Sequence, residues 1–403
     1  MLFFNIGYAP GNVRSVFMRR TRIEDRSIRK PNTVDFWRGF ALLEIVINHI
    51  PDNGFWRVTH RQFSWSDSAE LFVFLAGWSI SRRMNARHET WRELLSFCAG
   101  RFGKIYLGHV ATTLIVMSLY LAFARVMHDP DLLYVNEAGL AATSPRAFLR
   151  GVFMLTEQIR FVDILPLYAI LTLALPLLFI LNRKPAIAML SISAALYALA
   201  LIFRVDLPMW PEPGRWFFNP VAWQSIFIAG FMIGKERDTT TKLLARAPFL
   251  LPAAAAIVLV AAVSMVAGWT PGGEGQMDGV AYYFFDKSSL GLLRLAQFLA
   301  LALVVSRVTF LIPRFAPPAW RLFSFLGRNA LAVFCAGCLI SAIGQIAHHV
   351  GFHGVVFDSA FMVATMALLC LVAKVREKAR APRRPRQPMV IPVPADQPLP
   401  AMR

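Results

Sequence analysis

Acidic residues are scarce in this chain: 24 Asp and Glu stand against 42 Lys and Arg in 403 residues, and charged residues of both signs make up only 16%. A soluble protein of this length needs more charge on its surface, so that class is excluded. Cysteine is scarcer still, with four in all, which leaves no disulfide framework. Cys335 and Cys338 form a Cys-x-x-Cys, but they lie in an apolar run without a second ligand pair and read as small buried side chains. Internal repeats are absent, which argues against transporters built from duplicated halves. So are a Gly-rich phosphate loop, a Gly-x-Ser-x-Gly elbow and a His-Glu-x-x-His pattern. The segment before Pro31 lacks the apolar core of a cleavable signal, so the first span is expected to act as its own insertion signal. His348, His349 and His353 have no carboxylate or cysteine at ligand spacing, and no metal is expected.

Hydrophobicity dominates what remains, with 56% of residues apolar. Unbroken apolar stretches fall at 36–50, 67–81, 105–124, 163–182, 186–203, 220–234, 247–268, 290–312, 322–344 and 355–373. They predict an all-α, polytopic membrane bundle of about ten transmembrane helices. Alternation of period two, which a membrane barrel needs, is missing. An even number of spans places both termini on one side. That side's segments carry about 31 Lys and Arg against about nine opposite, which makes it the cytoplasmic one. The net charge of +18 is thus topological, and nucleic acid is not an expected partner. Three parts are expected: a basic cytoplasmic extension over 1–31, a membrane domain over 32–375, and a disordered Arg/Pro-rich cytoplasmic tail over 376–403. Pro271 to Gly275 reads as a flexible turn.

The candidate chemistry starts with Arg38 and His49, eleven residues apart in the first apolar stretch. At about 100° per residue they project from one helix face, roughly 16 Å apart along the axis. Ionisable groups in a span are costly and usually line a cavity or serve chemistry. Asp35 stands three residues from Arg38, close enough to hold the guanidinium or to cap the helix. Asp67 and Glu70 open the second stretch beside His49; a carboxylate there would orient the imidazole for general-base work, and a capping box explains the same pair. Arg101 and Lys104 share a face at the entrance of the third stretch, as a phosphate clamp or as positive-inside anchors. Arg328 admits the same two readings. Asp163 is a further polar candidate or a helix cap. Asn219, Trp223 and Gln224 could meet a sugar by amide hydrogen bonds and ring stacking, or serve as interfacial anchors. Glu44 is an intramembrane carboxylate whose partner cannot be read.

These residues carry a resemblance. Asp35-Phe-Trp-Arg-Gly-Phe through Asn48-His-Ile-Pro51, then Ser66-Asp-Ser-Ala-Glu through Gly77, is similar to the opening of OpgC proteins. Asp163-Ile-Leu-Pro-Leu-Tyr168, Phe218-Asn-Pro-Val-Ala-Trp-Gln224 and Leu326-Gly-Arg-Asn-Ala-Leu-Ala-Val-Phe334 continue the likeness in the same order, over about residues 32–373. OpgC proteins are the succinyl-transferring enzymes of osmoregulated periplasmic glucans. Their wider group is the membrane acyltransferase-3 family, whose first helix carries an Arg or Lys followed by a His at the spacing of Arg38 and His49. Arg101-Phe-Gly-Lys104 resembles that family's Arg-x-x-Arg with Lys in second place, which weakens bidentate phosphate contact there.

The resemblance implies a multi-pass enzyme of the bacterial inner membrane that passes an acyl group, succinyl in this branch, from cytoplasmic acyl-CoA to a glucan hydroxyl on the periplasmic side. No bound cofactor is expected; acyl-CoA is a co-substrate. Assigned on this basis are His49, Glu70, Asp67 and Asp163 to catalysis, Arg38, Arg101, Lys104 and Arg328 to acyl-CoA, and Asn219, Trp223 and Gln224 to the acceptor. The scheme expects the imidazole and the cations to share one continuous passage. O-acetylation of another surface polysaccharide, and a transporter or flippase, stand as the alternatives.

Overall fold

The computed structural model describes residues 30–86, 90–134, 139–269 and 278–380. Most of the expected terminal extensions and the turn at 271–275 lie outside them. The described residues are helical and contain no strand, only an isolated bridge between Pro208 and Arg215. In order the helices are α1 (Thr33–Asn48), α2 (Ser68–Ala86), α3 (Trp91–Met127), α4 (Gly139–Thr143), α5 (Pro145–Met154), α6 (Ile164–Leu173), α7 (Leu175–Leu181), α8 (Ala186–Ile202) and α9 (Pro220–Lys235). They continue as α10 (Arg237–Arg246), α11 (Leu250–Val266), α12 (Gly279–Phe285), α13 (Leu292–Val308), α14 (Ile312–Phe315), α15 (Pro317–Arg328), α16 (Ala330–His349) and α17 (Val355–Arg380).

By length and composition four of these segments can cross a membrane: Trp91–Met127, Leu292–Phe315, Ala330–His349 and Val355–Arg380. Two bent pairs, α6 with α7 at 47° and α10 with α11 at 88°, raise the number to six. The expected count of about ten is therefore not reached. α1 is only 16 residues long and carries Asp35, Arg38 and Glu44, while α2, which ends at Ala86, carries Arg82 and Arg83 near its end. The stretch expected to span 322–344 is broken at Asn329, where α15 ends and α16 begins. α17 runs to Arg380, past the expected boundary at 375.

Local sequence explains where the site-bearing helices start and stop. Asn32 caps α1 by accepting the Asp35 amide at 3.1 Å. At the other end Pro51 and a left-handed Asp52 turn the chain, and the Asn53 side chain donates to the carbonyls of Ile47 and Ile50 at 2.7 and 2.5 Å, satisfying groups the helix end would leave open. Two very close helix crossings then fix α1 and α2. Gly39 of α1 meets the backbone of α15 at Phe323, and Gly77 of α2 meets the backbone of α9 at Phe227; a Cβ at either place would overlap the facing carbonyl. Small residues permit such backbone approach in membrane bundles. Gly77→Val is expected to abolish the folded monodisperse peak in detergent gel filtration, since overpacking a backbone contact costs about 1–3 kcal/mol or more; an unchanged peak would refute the crossing.

Candidate functional site

Two cavities lie one above the other along α1, α2 and α13. The first, of about 500 Å³, takes its walls from the His49 end of α1, the start of α2 and Arg294 near the start of α13. The second, of about 920 Å³, follows the Arg38 end of α1, Leu71 to Arg82 of α2 and Phe298 to Ser306 of α13. The two cavities lie towards opposite ends of α1, one at His49 and one at Arg38. An aromatic series leads from the first cavity towards Arg38. Phe334, on the wall of the first cavity, stacks on Phe72, which meets Tyr168 edge to face, and Tyr168 lies within electrostatic reach of Arg38 and Arg101.

His49 is the C-cap of α1, and its amide still donates to Ile45 at 3.0 Å. Its carbonyl accepts Gln345 Nε2 of α16 at 2.5 Å, and Gln345 in turn accepts the Tyr120 hydroxyl of α3. The imidazole is therefore placed from three helices. Its ring lies 4.4 Å from the Phe161 ring, centroid to centroid, and its Nδ1 is buried without a hydrogen-bond partner. Phe161 itself has φ +72°, a left-handed conformation that costs a bulky residue about 1–3 kcal/mol and that clusters at functional sites.

Asp67 and Glu70 do not hydrogen-bond to His49, which corrects the expectation that either orients it. Asp67 pairs with Lys287 at 2.5 Å and with Arg294 at 3.4 Å, and Arg294 Nε also pairs with Glu70. The capping reading of the same two residues holds, since Asp67 accepts the Ala69 amide at 2.8 Å and Glu70 accepts the Asp67 amide at 2.9 Å. Asp67 lines the first cavity beside His49 and acts on it through space, whereas Glu70 is fully buried behind it. Asp163 also lines this cavity and stands at the N-cap of α6 without making a capping hydrogen bond.

Asn219, Trp223 and Gln224 line neither cavity. Asn219 caps α9 and donates to the Val205 carbonyl at 2.8 Å, Trp223 is buried with its indole on the carbonyls of Lys287 and Ser288, and Gln224 bonds Ser193. Their amides and indole are engaged by the protein itself. The aromatic walls of the first cavity come instead from Trp56, Trp65, Phe217, Phe218 and Phe285. Lys287 lies over the rings of Phe217 and Phe218 at 5.5 and 5.7 Å. Such walls suit the apolar faces of a sugar ring, and the interspersed charges can fix hydroxyls.

At the other end, Arg38 donates to the Leu75 carbonyl at 3.1 Å and to Ser79 Oγ at 2.7 Å, with Asp35 at 3.9 Å. It lines the second cavity together with Lys30 and Arg82. Arg101, Lys104 and Arg328 line neither of the two cavities; Lys104 is exposed, and Arg328 pairs with Glu377 of α17 at 3.5 Å. That end therefore gathers cations over apolar walls, a combination suited to an anionic amphiphile.

A further group, the partner of Glu44, has no signal in the order of residues along the chain. Glu44 Oε1 accepts the His60 amide at 2.9 Å, and Oε2 faces His60 Nδ1 at 2.5 Å and accepts Ser68 Oγ at 2.8 Å. Lys287 and Arg294 were likewise missed, being more than two hundred residues from Asp67 and Glu70 along the chain. The outer histidines find single carboxylates, His348 with Asp358 and His349 with Asp129, and among the described residues no cluster of three or more potential ligands forms.

Comparison with known proteins gives one match. A family model described as OpgC protein matches residues 29–381. No curated protein and no solved structure matches the chain.

Proposed function

We propose, from a chain that belongs to the OpgC family, that this protein carries an acyl group from acyl-CoA to hydroxyls of a periplasmic glucan. Membership gives an acyltransferase-like membrane function in glucan modification. Succinyl is the acyl group this reading assigns, and the bacterial inner membrane its location. Both termini and the Arg38 end then face the cytoplasm, in keeping with the basic flanks of that side.

The observation that supports this best is the polarity of the two stacked cavities. The Arg38 chamber has cations at its mouth and apolar walls beyond, as nucleotide phosphates followed by a pantetheine arm require. The His49 chamber has an imidazole among aromatic and charged side chains, as a sugar hydroxyl awaiting deprotonation requires. In this scheme His49 takes the hydroxyl proton while the oxygen attacks the thioester carbonyl. Asp67 and Asp163 face the same volume.

The test is direct. Purified protein in nanodiscs, given succinyl coenzyme A and linear or cyclic glucan, is expected to add acid groups visible by mass spectrometry and to release free coenzyme A only when glucan is present. Acetyl coenzyme A run in parallel decides the acyl group. Release of no coenzyme A with any donor and glycan would end the proposal.

A further inference from the structure

The two chambers meet at one wall, and that wall is built from ionisable groups that the scheme above does not use. Ser68 lines the His49 chamber, His60 lines the Arg38 chamber, and both bond the same oxygen of Glu44. Consecutive residues of one turn, His60 and Arg61, line opposite chambers. The Arg38 chamber follows α1 from Asn32 to Phe40, about 12 Å at 1.5 Å per residue, and is lined further on by His60, whose partner Glu44 lies one turn beyond Phe40. A donor with its phosphates at Lys30, Arg38 and Arg82 and its arm along Leu75 and Phe298 would therefore bring its far end to His60.

We propose that His60, clamped by Glu44, is the hydrogen-bond donor that stabilises the oxyanion formed on the acyl donor's carbonyl, and is thus a second catalytic histidine. The assignment rests on the acyltransferase reading. As the hydroxyl oxygen adds, the C–O bond forms and the carbonyl electron pair moves onto oxygen, where the His60 N–H meets it. The pair returns as the C–S bond breaks, and sulfur leaves with its electrons. The proton taken by His49 balances the thiol released, and His60 keeps its own proton throughout.

The surroundings suit that role. Burial opposes charge on His60, but the Glu44 hydrogen bond and charge, helped by Asp67 and Glu70, overcome it and raise the imidazole above its ordinary 6.5, so the protonated ring is favoured relative to a free imidazole. The nearest negative groups are Glu44 on α1, Asp67 ahead of α2 and Glu70 on it, while the cations lining that chamber, Lys30, Arg38 and Arg82, stand towards its other end. A preorganised donor in a water-poor site is worth most where charge develops.

The experiment measures kcat and KM for succinyl coenzyme A against pH, with linear glucan, for the full-length protein and for His60→Ala, His60→Gln and Glu44→Gln. Wild type is expected to lose kcat at alkaline pH as His60 deprotonates. His60→Ala is expected to lose about 10²–10³ in kcat, as removal of an oxyanion donor does, with KM for the donor little changed. His60→Gln, which keeps a neutral donor, recovers part of the loss and has no alkaline limb. Glu44→Gln moves that limb to lower pH because the anionic partner is gone. A clamp that is merely structural would lower the yield of folded protein without moving the limb. Full kcat in folded His60→Gln with an unaltered pH profile, or an unmoved limb in Glu44→Gln, would overturn the assignment while leaving the acyltransferase reading intact. A wild type that transfers from no donor would instead bring down that reading and this assignment with it.

Discussion

His49→Ala is expected to lower acyl transfer by about 10²–10⁴, the usual contribution of a positioned base, with the fall in kcat and KM for the donor little changed. The expectation follows from where the imidazole is held. Gln345 grips the backbone carbonyl of His49 and Tyr120 grips Gln345, so the substitution removes a ring while the α1 terminus keeps its anchors. Gel filtration should therefore show normally folded protein. Single-turnover labelling with radioactive succinyl coenzyme A in the absence of glucan separates the two chemistries open to histidine: label on the protein marks an acyl-histidine intermediate, and none marks direct transfer. Near-normal transfer by well-folded His49→Gln would remove His49 from the mechanism.

Arg294→Met should have the largest effect on stability. The guanidinium is the shared partner of Asp67 and Glu70, and its side chain is only 11% exposed, against 10% for Asp67 and none for Glu70. Removing one member of a buried charge pair leaves the other uncompensated and typically costs about 3–5 kcal/mol. Lys287 continues to hold Asp67, so the uncompensated charge falls on Glu70. The expected result is a large drop in thermal unfolding temperature in detergent, partly restored in Arg294→Met/Glu70→Gln, which removes both charges. A single variant as stable as wild type would show that the triad contributes no net stability.

Much of the site was legible because membrane sequences make charge conspicuous. Arg38, Glu44, His49, Asp67 and Glu70 stand out within apolar stretches, and the structure puts all five on or behind the walls of two cavities that share α1 and α2. Pairings were not legible, because they are set by long-range packing. Asp67 and Glu70 seemed destined for the neighbouring His49, yet Lys287 and Arg294 claim them from beyond residue 280, and the carboxylate that does meet an imidazole is Glu44, sixteen residues before His60. Asn219 and Trp223 pose a different ambiguity. Amide and indole groups attract attention as sugar contacts, but a helix start and a buried carbonyl pair have equal need of them. Fewer spans than ten are recognised among the described residues where helices are short or interrupted, at α1 and at Asn329, because hydropathy averages across a break that backbone geometry does not.

The division into two chambers bears on the energetics of the cell as well as on the chemistry. An enzyme that hands an activated group between compartments through an open bore would leak ions and waste thioester to hydrolysis. In the acyltransferase proposed above, the hydrogen bonds that tie His60 of one cavity and Ser68 of the other to Glu44 are where such a bore would be closed.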